Sequence, residues 1–313
     1  MEKPYNIHYR SHEEIDRSKW DQCLARADHP LIYAHSWYLD HFCTQWEGLV
    51  LNDYEAVMPL TRRNKFGISY LYPPFLCAQL GVFGKNLDES IITAFLQHIP
   101  SKFRYIDIYL NAGNAVTKET AGIYYRDNFV LDLSSDSASI QAKYRENTFR
   151  NIRKAEKAGL LVERDIDFDV VIRLARKEIR TSGNGTAKDF LQLHALLNQL
   201  TAQKQVRSYG VRNPQGDWTA SAIFFFSEKR AYYILVGNSP EGRDSGASHL
   251  LIHSFIEDYA GKNMVLDFEG SDVPGLAFFY SGFGAELEKY PCVKWNRLPW
   301  YLKWLKYSSP QRA

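Results

Sequence analysis

The period of the hydrophobic pattern changes along the chain, and its clearest run lies in the second half. Residues 218–226 (WTASAIFFF) and 231–236 (AYYILV) are β-branched and aromatic stretches split by a short polar turn, which predicts two paired strands. A segment dense in turn formers follows, from Gly237 to Ser248 (GNSPEGRDSGAS). Beyond it Ala247, Leu250, Leu251, Ser254, Phe255 and Tyr259 recur at helical spacing, which predicts a helix starting near Ser245 with one apolar face. Residues 264–268 (MVLDF) close this unit as a short buried strand ending in Glu269-Gly270.

The rest of the chain reads as support for that unit. The first half predicts a polar strand at 5–9 and helices near 13–27 and 37–46, separated at Asp28-His29-Pro30 because the residue before proline disfavours helix. A hairpin at 48–62 turns around Asn52-Asp53; a strand at 68–72, a loop from Gln79 to Gly84, a helix at 87–99 and a strand at 105–110 follow. The second half predicts a strand at 127–133, a basic helix at 139–158 stopped by Gly159, and a strand at 160–164. Amphipathic helices at 168–181 and 188–203 and a strand at 206–211 lead into the unit above. After it come a short helix at 273–281, a turn at Gly282–Gly284 and a strand or strand pair at 285–295. The order helices, strands, glycine-containing loop, helix, strand thus occurs twice, the pattern of a divergent internal duplication. The expected class is α/β (α+β), with domains at 1–134 and 135–313.

Composition narrows the function. A chain of 313 residues exceeds what one core usually supports, and 45% hydrophobic with 24% charged residues is ordinary for a globular protein. A net charge of +2 is too small to imply bulk nucleic-acid binding, and a basic groove would need a local cluster. The four cysteines, Cys23, Cys43, Cys77 and Cys292, are far apart, and no carboxylate or thiol pattern joins His29, His35 and His41, so no metal site is expected. The N-terminus lacks an apolar signal core and no run approaches a membrane span, which makes the cytoplasm the default. The tail at 298–307 mixes aromatics with lysines, a composition that suits either packing on the body or weak association with a membrane surface.

Two stretches carry chemistry. A helix start leaves backbone amides unpaired and partly positive, so the glycine-containing turn before residue 247 can receive phosphate oxygens, with Gly246 and Ala247 allowing close approach and Arg243 adding a charged donor. On the basic helix, Arg150, Arg153, Lys154 and Lys157 lie three and four residues apart and share a face, which serves either as a solvated surface or to steer an anionic substrate.

These residues together resemble GNAT-type N-acyltransferases, whose coenzyme A pyrophosphate rests on a Gln/Arg-x-x-Gly-x-Gly/Ala loop. Here the segment is Arg243-Asp-Ser-Gly246-Ala-Ser248, with serine at the last position. The Fem-like branch, which pairs two such domains, is the closer resemblance. It is carried by the helix ending Arg150-Asn-Ile-Arg-Lys-Ala-Glu-Lys-Ala-Gly159, by Leu266-Asp-Phe-Glu-Gly270, and by Leu276-Ala-Phe-Phe-Tyr-Ser-Gly-Phe-Gly284. Tyr280 or Ser281 stands where that last pattern has a lysine.

The resemblance implies two tandem domains, each a mixed, mostly antiparallel sheet flanked by helices, with acyl-CoA (acetyl-CoA) as co-substrate. Leu235, Val236, Gly237, Arg243, Gly246, Ala247 and Ser248 would hold the cofactor, Glu269 would act as general base and Tyr280 as acid. Arg150, Arg153, Lys154 and Lys157 would contact substrate. The loop Gln79–Gly84 lacks an arginine and would bind no cofactor, closing instead one side of an interdomain cleft for an amine acceptor: a small amine, an amino sugar or a peptide amine. Two alternatives stay open: an aminoacyl-tRNA-dependent ligase modifying a peptidoglycan precursor, and a non-catalytic binding module.

Overall fold

The computed structural model describes residues 5–117, 121–182, 185–270, 272–300 and 302. In chain order the elements are β1 (Ile7–Arg10), α1 (Arg17–Arg26), α2 (Ser36–Phe42), β2 (Glu47–Leu51), β3 (Ala56–Leu60), β4 (Arg62–Lys65), β5 (Ile68–Leu71), β6 (Phe83–Gly84), α3 (Glu89–Gln97) and β7 (Phe103–Tyr109). They continue as β8 (Ile123–Asp132), α4 (Ser137–Gln141), α5 (Glu146–Lys157), β9 (Leu161–Arg164), α6 (Phe168–Ser182), α7 (Ala187–Ala202), β10 (Val206–Arg212), β11 (Trp218–Phe226) and β12 (Arg230–Asn238). The last are α8 (Pro240–Ser245), α9 (Ala247–Tyr259), β13 (Val265–Asp267), α10 (Pro274–Ser281) and β14 (Glu286–Asn296). The chain forms two compact units: Met1–Arg126 with Lys289–Ala313, and Asp127–Glu288. Where the sequence pattern suggests one cut at 134/135, the contacts return the end of β14 to the first unit.

In the first unit, β1, β2, β3 and β6 form an antiparallel sheet, and β5 runs parallel to β7. Helix α3 connects that parallel pair, capped by Asp88, whose carboxylate accepts the Ile91 amide. Its Ile92, Phe95 and Leu96 pack with Leu49, Met58, Phe103 and Ile106. On its other side β7 pairs antiparallel with Cys292–Asn296 of β14.

The second unit repeats this order. β9, β10, β11 and β12 are antiparallel neighbours, β12 runs parallel to β13, and β13 pairs antiparallel with β8. Helix α9 connects the parallel pair and buries Ala247, Leu250, Leu251, Phe255 and Ile256, with Phe255 stacked on Phe224 of β11 at 3.9 Å. Helix α6 covers the opposite face of the sheet. The duplicated α/β order expected from the sequence is therefore present, as mixed sheets flanked by helices.

Two expected elements differ. The basic helix predicted over 139–158 is broken into α4 and α5, because Arg145 is extended and its amide donates to the Gly282 carbonyl at 2.9 Å. Thr148 anchors the same carbonyl with its hydroxyl. The turn-rich segment 237–248 is also not all loop. Ser239 caps α8 by accepting the Gly242 amide and Pro240 occupies its first turn, so α9 starts at Ala247 behind Gly246 rather than near Ser245.

The four cysteines are free and buried, and no His/Cys/Asp/Glu group suited to a metal ion occurs among the described residues. No helix of the described residues is long and apolar enough to cross a membrane. The expected aromatic–lysine tail at 298–307 lies mostly outside the described residues.

Candidate functional site

The site begins with an irregularity in β12. Across from β11, Ile223 pairs with Leu235 and the next residue, Phe224, with Tyr233, so Ile234 is an extra residue, a β-bulge. A bulge reverses the alternation of side chains beyond it. Tyr233, Val236 and Asn238 consequently share the face toward α9, while Leu235 and Gly237 turn to the face covered by α6. The parallel ladder to β13 meanwhile ends at Tyr232–Asp267, whereas β12 runs on to Asn238. The two strands part there.

The gap is a cleft of about 420 Å³ lined by Tyr233, Val236, Asn238, Gly242, Arg243, Gly246, Ser248, His249, Leu276, Phe279 and Tyr280. Its floor at one end is the start of α9. The Gly246 carbonyl takes the amides of His249 and Leu250, and no side chain caps the helix, so the Ala247 and Ser248 amides sit where a helix lacks intrahelical acceptors. Gly246 has φ +82°, and a Cβ there would lie 2.4 Å from the Asn151 carbonyl oxygen of α5. Its glycine character thus serves both a left-handed turn and close contact between helices. Ser248 donates to Asn238 Oδ1 at 2.7 Å, tying the helix start to the end of β12.

The strand end opposite is held by a buried ionic cluster. Asp267, 2% exposed, accepts from Arg230 at 2.5 Å and from Asn128 at 3.0 Å. Asn128 and Arg230 also both reach Glu288. The Glu269 amide donates to Asp267 and the Gly270 amide to Asn128. This accounts for the Asp-Phe-Glu-Gly segment: the aspartate fixes the strand end, and Phe268 stacks on Tyr280 at 4.5 Å. Burial and the nearby Glu269 carboxylate push the Tyr280 phenol above its ordinary range, so it stays protonated through neutral pH.

Of the residues expected to hold a cofactor, Val236, Arg243, Gly246 and Ser248 line this cleft. Leu235 and Gly237 do not, because of the bulge; Gly237 instead lies against Leu174 and Ala175 of α6. Ala247 is buried in the core below. Tyr280 lines the cleft, with Glu269 near it.

The basic face of α5 does not line the cleft. Lys154 reaches the α8–α9 junction, where it donates to the Asp244 carbonyl at 2.6 Å. Arg150 bonds Asn147, Arg153 lies over the Phe149 ring, and Lys157 is exposed in the last turn.

His249 was not anticipated. It faces the cleft from the first turn of α9, edge-on to Phe279 at 4.6 Å, and burial pushes its pKa down to about 4. It is neutral at pH 7. Tyr233, Asn238, Gly242, Leu276 and Phe279 are the other lining residues beyond those expected.

Known proteins are similar to this chain in domain family and in fold. Residues 142–274 match the acetyltransferase (GNAT) domain family. Among solved structures the fold is similar to FemX, with TM-score 0.62, 12% identity, and 88% of this chain against 96% of that one. It is also similar to a tandem GNAT protein from the clavulanic acid biosynthesis pathway (TM-score 0.53, 12% identity, 94% of this chain and 99% of that chain). A conserved protein of unknown function from Bacteroides thetaiotaomicron aligns at TM-score 0.56 and 10% identity, over 93% of this chain and all of its own. None of the curated proteins searched matches the sequence.

Proposed function

We propose that this chain, whose second unit is a GNAT-type domain, transfers an acyl group from acyl-CoA to an amine. The observation that carries the reading is the parting of β12 from β13 beside the uncapped start of α9. A diphosphate would lie on the Ala247 and Ser248 amides near Arg243, and an extended thioester arm would run along Tyr233–Asn238. These are the donor sets such a molecule needs: an anion site at one end and a strand edge leading from it.

In the reaction the amine nitrogen attacks the thioester carbonyl, the C–N bond forms and the C–S bond breaks. Glu269 would accept the proton the amine loses, and Tyr280, held protonated, would give one to the leaving thiolate. The acceptor class is a small amine, an amino sugar or a peptide amine. Calorimetric titration with acetyl-CoA tests the reading: one equivalent should bind, and no heat up to high micromolar ligand contradicts it. Amine-dependent release of free thiol separates an enzyme from a binding module.

A second reading, transfer from aminoacyl-tRNA, draws on the exposed arginines and lysine of α5, Arg150, Arg153 and Lys157. It requires tRNA retardation at low salt that falls steeply as salt rises. Absence of retardation removes it.

A further inference from the structure

Helix α10 is unusually apolar for its exposure. Its sequence is Pro-Gly-Leu-Ala-Phe-Phe-Tyr-Ser, yet Tyr280 is its one buried residue. Tyr280, Phe279, Leu276 and the N-cap Val273 recur at helical spacing and form one strip. Exposure grades along it: Tyr280 is 7% exposed, Leu276 44% and Val273 47%. Tyr280, Phe279 and Leu276 line the cleft, so the strip is a continuous wall leading out of it. From Val273 to Tyr280 it spans about 10 Å at the helical rise.

The cationic lining of the cleft lies at one end. Among the described residues Arg243 is the one charged residue lining it, close to the α8–α9 junction, and His249 is neutral between that end and Phe279. Leu276, Phe279 and Tyr280 of the strip are themselves uncharged, with the Glu269 carboxylate close to the Tyr280 end. A ligand matching both ends has an anionic head and a hydrocarbon tail.

Resting on the acyl-CoA reading above, we propose that the acyl group is a medium-chain aliphatic one, with the α10 strip as the wall that binds it. Acetyl is too short to cover Leu276 and Val273, and a chain long enough to lie along them removes their apolar surface from water. Each methylene buried tightens binding by about fourfold, so affinity should climb with chain length until the strip is covered.

The test is calorimetry on the full chain with CoA, acetyl-CoA, butyryl-CoA and octanoyl-CoA. The expected result is octanoyl-CoA binding at least about tenfold tighter than acetyl-CoA. Leu276→Ser and Val273→Ser should each narrow that ratio by about threefold or more. The ratio is taken within one variant, so any general loss of binding cancels, and serine at the N-cap keeps α10 capped. A flat series with CoA still bound overturns the proposal and leaves the acyl-CoA reading intact. No binding of any CoA species overturns both.

Discussion

The two units end their parallel strand pairs in opposite ways. In the first, β5 and β7 pair from Ser69–Phe103 to Leu71–Ile106, and the chain's own segment 73–81 then fills the space beyond. Leu80 donates to the Tyr109 carbonyl at 2.9 Å and bridges Leu110, and what remains among Pro73, Cys77, Gln79, Gly81 and Ile108 is about 10 Å³. In the second, β12 and β13 pair over three residues and then part around a cleft of about 420 Å³. One scaffold therefore has its strand edge satisfied by its own backbone, while the other leaves that edge to a ligand.

The largest effect should come from the cluster that holds the open pair in place. Arg230→Ala leaves Asp267 and Glu288 without their buried cation and should cost about 3–5 kcal/mol in urea unfolding. The first unit also buries a carboxylate, Glu47, but pairs it with both Arg62 and Lys102, and Lys102 is half exposed. Lys102→Ala should therefore cost about 1 kcal/mol or less. Equal costs would mean that the two buried carboxylates depend on their cations alike.

Next in size is converting the second unit to the condition of the first. Val236→Trp would fill the cleft from β12 and should weaken CoA binding more than about tenfold, or 1.4 kcal/mol, by calorimetry. Arg243→Ala removes one charged donor without filling anything and should weaken CoA by about 1–3 kcal/mol.

The smallest effect is one of pH. His249 titrates near 4 in the folded chain and near 6.5 when unfolded, so between those values the unfolded chain binds more protons. Its contribution to stability is fully present above pH 6.5 and is lost as pH falls toward 4. Denaturation midpoints of His249→Phe should decline less over that window than those of the wild type; parallel curves would refute the assignment.

Much of this site is legible in the sequence because its signals are local. The strands at 218–226 and 231–236 and the glycine before the helix are adjacent residues whose pattern states their role, whereas the Asp-Phe-Glu-Gly strand end is legible only as a resemblance, because the partners of Asp267, Arg230 and Asn128, lie far along the chain. Gly246 also fits the expected turn, although its contact with Asn151 of α5 is invisible in sequence. The bulge at Ile234 is a matter of register against β11, and no period-2 reading of β12 alone reveals that it turns Leu235 and Gly237 away. The break between α4 and α5 depends on the Gly282 carbonyl, far along the chain. The ring contacts of His249 are with Phe279 and Phe283, thirty or more residues on, where no local pattern announces them. Helix α8 is different, since Ser239-Pro240 is a local cap signal that the density of turn formers obscures.

Hydrogen–deuterium exchange with and without CoA is the most direct test that the second unit, and not the first, keeps an open strand edge. CoA should slow exchange at Tyr233–Asn238 and at the α8–α9 junction while leaving 73–81 unchanged. Protection appearing at 73–81, or nowhere along β12, would contradict the account.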